Sequence, residues 1–232
     1  MHWNTPLISS FGWSGEISNR EAKERVARII AEKVSDGDVI WAGSGSTAYL
    51  ALIAIAEKMQ ERGVTIRIIP TSREITMTCT RLGIPTTSLF SEKPDWYFDG
   101  ADEVDAANNL IKGRWWALYQ EKLLMRSSPR NYILIDASKY VTELWIHFPI
   151  PIEVFPDALN LVECELCHLG AYEIILRLAK GKDGPIITES GGFILDTRFT
   201  EITPTLERDI KSITGVIESG LFQGYDLEII TG

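Results

Sequence analysis

Cysteine and histidine are scarce in this chain, with three of each among 232 residues. Three cysteines are too few for a disulfide framework. Long apolar runs are also missing, because no stretch of about 18 apolar residues exists that could span a bilayer. Residues 1–18 lack the basic and apolar regions of a secretion signal. We therefore expect a cytoplasmic protein.

Basic residues are outnumbered, 23 against 32 acidic ones, and the formal net charge is −9. Binding to nucleic acid needs basic stripes that neutralise phosphates, so this balance argues against nucleic acid as a routine partner. A hydrophobic content of 45% and a charged content of 24% are typical of a globular protein that is large enough to bury a core.

Strand-like and helix-like segments alternate through the first two thirds of the chain. This alternation predicts an α/β fold with a mostly parallel, Rossmann-like sheet that has helices on both faces. After residues 149–154 the order changes to helix, strands and helix, which predicts a smaller α+β (ferredoxin-like) domain. The expected division is an N-terminal extension (1–18), a Rossmann-like catalytic domain (19–147 and 215–232) and a small domain (148–214).

Three local features are also expected from the pattern. Ser18 and Glu21 fit a capping box at the start of the first helix. A strand is expected near Ile186, and the final strand, 226–230, is expected to return to the main sheet.

An acidic run follows the strand-like residues 96–98, with carboxylates at Asp99, Asp102, Glu103 and Asp105. Crowded carboxylates at the end of a strand repel each other, and chains tolerate this mainly where chemistry or a cation offsets the cost. Downstream, Lys112 and Glu121 add the ammonium and the carboxylate that proton transfer on a sugar phosphate needs. A site for a hard cation and a solvated acidic turn are the alternatives, although the spacing does not match a calcium loop.

Residues 43–47, Gly-Ser-Gly-Ser-Thr, lie between a strand pattern and a helix pattern. Glycines let a backbone approach an anion, and the N–H groups of a helix start and the hydroxyls can donate to it. The segment therefore predicts a phosphate-binding turn, with an ordinary capped strand–helix turn as the alternative.

Residues 164–168, Cys-Glu-Leu-Cys-His, match the pattern of covalent haem attachment. They fall inside a predicted helix with a regular apolar face, and neither an export signal nor a second cysteine pair accompanies them. We therefore favour an ordinary helix face at this position, without haem or zinc.

Taken in order, five motifs resemble those of the type A ribose-5-phosphate isomerase family, from about Arg20 to the C-terminus. They are 43–47 (with Ser44 where the family has threonine), 99–103, 136–139, 149–154 and 220–222. The resemblance implies interconversion of ribose 5-phosphate and ribulose 5-phosphate through an enediolate, in the pentose phosphate pathway. It also implies a sugar phosphate as ligand and a homodimer or homotetramer. The chemistry requires no cofactor or metal, and the charge balance and the lack of long apolar runs leave no expectation of a nucleic acid or membrane partner.

The resemblance further implies a role for each matched position. Glu121 aligns with the general base that moves a proton between C1 and C2, and Asp99, Asp102 and Lys112 complete the catalytic set. The implied substrate-binding positions are Ser44, Gly45, Ser46, Thr47, Gly100, Ala101, Gly113, Arg114, Trp115, Lys139 and Lys23.

One segment departs from the family pattern. The family has Lys-Gly-Gly-Gly before its Arg-Glu-Lys, whereas this chain has Lys-Gly-Arg-Trp-Trp at 112–116. Glycines let backbone N–H groups approach a substrate and permit positive φ, while arginine and tryptophan add bulk. Two alternatives therefore stay open: an isomerase for a different sugar phosphate, and a catalytically silent sugar-phosphate-binding protein.

Overall fold

The computed structural model describes residues 6–114, 116–181 and 183–232. Its helices are α1 (Pro6–Ser9), α2 (Arg20–Glu32), α3 (Ser46–Arg62), α4 (Arg73–Leu82), α5 (Leu118–Ser127), α6 (Leu159–His168) and α7 (Leu206–Lys211). Its strands are β1 (Val39–Ala42), β2 (Arg67–Pro70), β3 (Trp96–Asp99), β4 (Glu103–Val104), β5 (Leu110–Ile111), β6 (Asn131–Ile135), β7 (Ile150–Val154), β8 (Ala171–Leu176), β9 (Phe193–Phe199), β10 (Val216–Ser219), β11 (Leu221–Phe222) and β12 (Glu228–Thr231). None of the helices in the described part of the chain is long and apolar enough to cross a bilayer.

The chain divides into two compact units. The first consists of Met1–Gly100, Leu124–Ser138 and Asp226–Gly232, and the second of Ala101–Leu123 and Lys139–Tyr225. The domain boundaries expected from the sequence, at 148 and 214, stay a prediction. The structural units differ from them because Ala101–Leu123 groups with the later residues through long-range strand pairing, which a pattern read along the chain does not reveal.

The first unit contains a five-stranded parallel sheet with the order β12-β6-β3-β1-β2. Its strands are short apolar runs that are almost wholly buried, as expected of a parallel sheet. The predicted mostly parallel sheet is therefore confirmed. The predicted return of the C-terminal strand is confirmed as well, since Ile230 of β12 lies opposite Leu134 of β6.

The apolar stripe of α2 explains how this helix is held in the first unit. Val26, Ala27 and Ile30 share its buried face, as the helical period requires. Ile17 joins the same core, and the ring of Trp13 lies 5.8 Å from that of Tyr49. The later part of the expected N-terminal extension therefore packs as part of the first unit, whereas its residues 1–5 lie outside the described residues.

The expected capping box at Ser18 and Glu21 is wrong. The residue before α2 is Asn19, with φ 50°, and its side chain does not cap the helix. The Ser18 hydroxyl instead accepts a hydrogen bond from Lys23 Nζ, at 3.3 Å. The Asn19 amide donates to Asp136 at 3.0 Å. Both polar groups are therefore used for tertiary contacts, which a local capping pattern cannot anticipate.

The second unit contains two antiparallel sheets, with the orders β10-β7-β9-β8 and β11-β5-β4. The strands of the larger sheet and the helices between them follow the chain order β7-α6-β8-β9-α7-β10, a ferredoxin-like arrangement. The predicted small α+β part is thereby confirmed. The strand expected near Ile186 is wrong. Residues 183–192 form no strand and pair with a neighbour only through an isolated bridge from Pro185 to Leu178.

Candidate active site

Asp99 ends β3, at the carboxyl edge of the parallel sheet in the first unit. Its buried carboxylate accepts hydrogen bonds from the Tyr97 hydroxyl and the Gly100 N–H, both at 2.7 Å. Gly43 follows the neighbouring strand β1, and a Cβ added there would lie 2.0 Å from Asp99 Cγ. Glycine at position 43 is therefore what allows the predicted phosphate turn to lie directly against Asp99.

The same turn leads into α3. Gly45 is the N-cap residue of this helix and has φ 91°, a conformation that favours glycine. Lys23 of α2 is buried, and its Nζ donates to the hydroxyls of Ser46 (3.1 Å) and Ser18 (3.3 Å). An ammonium beside the positive end of a helix creates a local field that attracts anions. The first unit therefore brings Lys23, Gly45 and Ser46 together in a place suited to a phosphate.

The remaining predicted residues of this unit have different surroundings. The buried Ser44 hydroxyl contacts the Thr71 hydroxyl at 2.7 Å and donates to Ser72 at 3.0 Å. It thus ties the turn to the end of β2. Thr47 lies against Gly100, since a Cβ added at Gly100 would be 3.7 Å from Thr47 Oγ1.

Antiparallel pairing in the second unit places Asp102 beside Lys112. Glu103 of β4 pairs with Ile111 of β5. Asp102, just before β4, therefore lies opposite Lys112, just after β5. The Asp102 N–H donates to the Ile111 carbonyl at 2.8 Å, which extends this pairing. The carboxylate and the ammonium that the sequence singled out are therefore neighbours through strand register.

Lys112 and Glu121 form a buried ion pair, with Lys112 Nζ 3.4 Å from Glu121 Oε2. Lys112 directly follows β5, and Glu121 lies in the first turn of α5. The Lys112 backbone is fixed by Gly220, whose carbonyl accepts its N–H at 2.9 Å and whose missing Cβ leaves room for the Lys112 carbonyl. The motif at 220–222 therefore has a physical role in placing Lys112.

Burial raises the pKa of Asp102, while Lys112, Lys139 and Arg114, together with Arg177, oppose that rise through their positive charges. A carboxyl group with a raised pKa exchanges protons more readily near neutral pH than an exposed aspartate does. The surroundings of Asp102 thus suit a group that passes protons to and from a bound sugar.

Two predicted substrate-binding residues share an aromatic neighbour. The Arg114 guanidinium lies 5.5 Å from the centroid of the Phe148 ring, and Lys139 Nζ lies 5.4 Å from it.

Ala101 is half-buried at the start of the second unit. The predicted position Trp115 lies outside the described residues.

Gly113 and Trp116, in the segment that departs from the family pattern, have backbone angles typical of glycine. Gly113 has φ 102°, and a Cβ there would lie 2.9 Å from Leu118 Cδ1. Trp116 itself adopts φ 68° and remains 43% exposed. This tryptophan therefore takes a conformation that glycine adopts without strain.

Arg177 is a residue that the sequence reasoning missed. Its guanidinium donates to the carbonyls of Gly113 and Arg114, both at 3.3 Å, and forms an ion pair with Asp196. These bonds hold Gly113 and Arg114 in place after β5. No local signal marks Arg177, because it meets the loop from more than 60 positions away in the chain.

Two carboxylates of the acidic run have a structural task instead of a chemical one. Glu103 accepts the N–H groups of Trp145, His147 (2.6 Å) and Phe148 (3.0 Å). Asp105 closes a tight turn by accepting the N–H groups of Ala107 and Asn109. Each carboxylate therefore accepts hydrogen bonds from backbone N–H groups that water would otherwise accept. Only Asp99 and Asp102 of this run remain candidates for chemistry.

A family model, that of ribose 5-phosphate isomerase A (phosphoriboisomerase A), matches residues 67–232 of this chain. The chain belongs to the ribose 5-phosphate isomerase A family. The ribose-5-phosphate isomerase A of Methanothermobacter thermautotrophicus is 36% identical over 212 residues, which cover 90% of this chain and 93% of that protein. The protein of the same name from Archaeoglobus fulgidus is 39% identical over 204 residues, 86% of this chain and 89% of its own length.

Solved structures of the family agree with the fold. The ribose 5-phosphate isomerase A of Methanocaldococcus jannaschii matches with a TM-score of 0.87 and 37% identity, over 91% of this chain and 95% of that one. A D-ribose-5-phosphate isomerase in complex with phospho-erythronic acid matches with a TM-score of 0.86 and 35% identity, over 92% and 95%. The family resemblance of the five motifs is thereby confirmed.

Proposed function

We propose that this chain is an aldose–ketose isomerase that interconverts ribose 5-phosphate and ribulose 5-phosphate. Such a reaction moves a proton between C1 and C2 through an enediolate, and it needs a carboxylate base and a donor for the developing oxyanion. The buried ion pair of Lys112 and Glu121, at 3.4 Å, is the observation that carries the proposal. The names of the relatives favour this substrate over another sugar phosphate and over a silent binding protein.

Glu121 and Asp102 would perform proton transfers in this scheme, with Lys112 beside Glu121. Glu121 removes the proton from one carbon and returns it to the other, while the Lys112 ammonium stabilises the negative charge on the enediolate oxygen. Asp102, with its raised pKa, exchanges protons with the sugar hydroxyls and assists ring opening. Because an ammonium can supply the stabilising charge, this scheme requires no metal or organic cofactor.

Lys23 and the turn at residues 43–47 would bind the anionic end of the substrate. Lys23, Ser46 and the start of α3 are suited to a phosphate, and Gly45 and Thr47 belong to the same turn. Asp99 would handle protons of the sugar. The remaining substrate-binding positions in this proposal are Ser44, Gly100, Ala101, Gly113, Arg114, Trp115 and Lys139.

The complex of the related isomerase supports a sugar-phosphate ligand of this kind. Phospho-erythronic acid carries a phosphate and a carboxylate, and a carboxylate resembles an enediolate in being planar and anionic. An assembly of two or four copies and a cytoplasmic location stay predictions.

The proposal is tested by measuring initial rates on ribose 5-phosphate and on a panel of other aldose phosphates. Wild-type protein should prefer ribose 5-phosphate. Glu121→Gln should lower kcat by about 10²–10⁴-fold, the range that general acid–base catalysis contributes, and should still bind substrate in calorimetry.

The matched control is Glu163→Gln, which makes the same chemical change at an exposed position of α6. It should leave kcat and KM unchanged. Wild-type-like turnover by Glu121→Gln would remove the proposed base, and a preference for another sugar phosphate would replace the proposed substrate.

A further inference from the structure

Three metal-ligating side chains converge on α6, outside the residues assigned to the reaction. The Cys164 thiol, a Glu165 carboxylate oxygen and a His168 imidazole nitrogen all lie within 4.8 Å of one another. His168 Nδ1 is 3.7 Å from Glu165 Oε1. We propose that Cys164, Glu165 and His168 bind a borderline divalent cation such as Zn²⁺.

The donor set determines the class of ion. Thiolate, imidazole and carboxylate are the three ligand types that Zn²⁺ uses in proteins, whereas Mg²⁺ and Ca²⁺ prefer oxygen alone. With bonds of about 2.0–2.3 Å, ligand atoms in a tetrahedral site lie roughly 3.5 Å apart, so small side-chain rotations are enough to close this one. Three protein ligands leave the fourth position to water, as in open zinc sites.

The position in the helix favours a cation independently of the ligands. Cys164 and His168 are four residues apart, which places them on one face of α6, one turn from each other. They occupy the last turns of the helix, where the aligned peptide dipoles give a negative potential. The side chains of Glu165 and His168 are 47% and 69% exposed, so an ion can reach them without any opening of the core.

The geometry also separates this site from the haem pattern in the same segment. Attachment of haem uses both cysteines of the pattern, whereas Cys167 is not among the converging ligands. The helix brings Glu165 into the set in its place. A spacing rule that counts only cysteines and histidines therefore overlooks this trio.

Cobalt titration of the reduced, full-length protein tests the proposal. A thiolate–Co²⁺ charge-transfer band should appear in the near ultraviolet and should disappear when Zn²⁺ is added, because Zn²⁺ binds such sites more tightly. Cys164→Ser should abolish the band. In calorimetry, Cys164→Ser and His168→Ala should each weaken Zn²⁺ binding at least about tenfold, the lower limit found for supporting residues of metal sites.

Cys167→Ser is the matched control, since it removes an exposed thiol of the same helix that lies outside the trio. It should retain the band and the affinity. Burial raises the pKa of Cys79 to about 12, so that thiol does not compete for the ion. Circular dichroism should show that all variants are folded.

Absence of a charge-transfer band in the wild-type protein would overturn the proposal. So would a band that survives in Cys164→Ser, or one that is lost in Cys167→Ser but not in Cys164→Ser. These readouts do not depend on isomerase activity, so failure of the metal site and failure of the proposed function are distinguishable.

Discussion

At the residue scale, similar carboxylates in one short segment have different tasks. Glu103 and Asp105 bind backbone N–H groups, whereas burial raises the pKa of Asp102. The sequence could predict that this segment is important, because clustered carboxylates are costly. It could not show which carboxylate has which task, because the N–H groups that Glu103 binds come from a loop more than 40 residues away.

Asp102→Asn tests the surroundings of that carboxyl group. A carboxyl whose pKa is raised by folding favours the folded state below its unfolded pKa, and this contribution is lost as the pH rises through the folded pKa. The variant should therefore unfold at a higher temperature than wild type at neutral pH, and the difference should shrink toward about pH 4.

Thermal unfolding across that pH range measures the difference. Asp183→Asn removes the same charge from an exposed position and should show no such trend. A stabilisation by Asp102→Asn that is independent of pH, or a destabilisation at neutral pH, would contradict the assignment.

Trp116 gives a second test at the residue scale. A left-handed conformation costs a residue with a Cβ roughly 1–2 kcal/mol, and glycine does not pay this cost. Trp116→Gly should therefore be more stable to denaturant than Trp116→Ala by about 1 kcal/mol, although Gly is normally the weaker residue. Equal stabilities of the two variants, or a more stable alanine variant, would show that position 116 does not hold φ near 68°.

At the scale of the element, α5 is anchored by the residue next to the proposed base. Lys122 Nζ is 2.8 Å from a Glu207 carboxylate oxygen and 3.3 Å from one of Glu218, and it donates to the Leu221 carbonyl at 2.7 Å. Burial lowers the pKa of Lys122, and the two carboxylates oppose that change. A pattern read along the chain does not reveal this anchor, since the partners lie in α7, β10 and β11.

Lys122→Met should destabilise the protein by about 3–5 kcal/mol, the usual cost of removing one partner from a buried ion pair. Glu207 would then lose its ammonium, and Glu218 would keep only the half-exposed Lys211. Equilibrium unfolding in urea measures the loss. Lys211→Met is the control, because it removes a half-exposed lysine that also pairs with Glu218, and it should cost less than about 1 kcal/mol. Similar costs for both variants would contradict the anchoring role.

At the scale of the whole molecule, the pattern of strands and helices was enough to predict a mostly parallel sheet followed by a smaller α+β domain. The pattern carries this information because a parallel strand needs a crossover while an antiparallel one needs only a turn. The short strands β4, β5 and β11 were not predicted. They consist of two residues each, and pairing among them, rather than periodicity, defines them.

The proposed chemistry makes a prediction about metal dependence. If Lys112 supplies the charge for the enediolate oxygen, as proposed, treatment with a chelator should leave the turnover of ribose 5-phosphate unchanged. Initial rates before and after dialysis against EDTA measure this. A loss of activity that a divalent ion restores would mean that a metal, and not the ammonium, stabilises the intermediate.

Deuterium incorporation tests the central claim most directly, namely that Glu121 moves the proton between C1 and C2. Ribose 5-phosphate is incubated with the protein in heavy water, and the label on carbon is followed by NMR. Wild type and Glu163→Gln should incorporate deuterium on carbon as the protonated base exchanges with solvent. Glu121→Gln should bind the substrate and incorporate deuterium about 10²–10⁴-fold more slowly. Incorporation by Glu121→Gln at the wild-type rate would contradict the account.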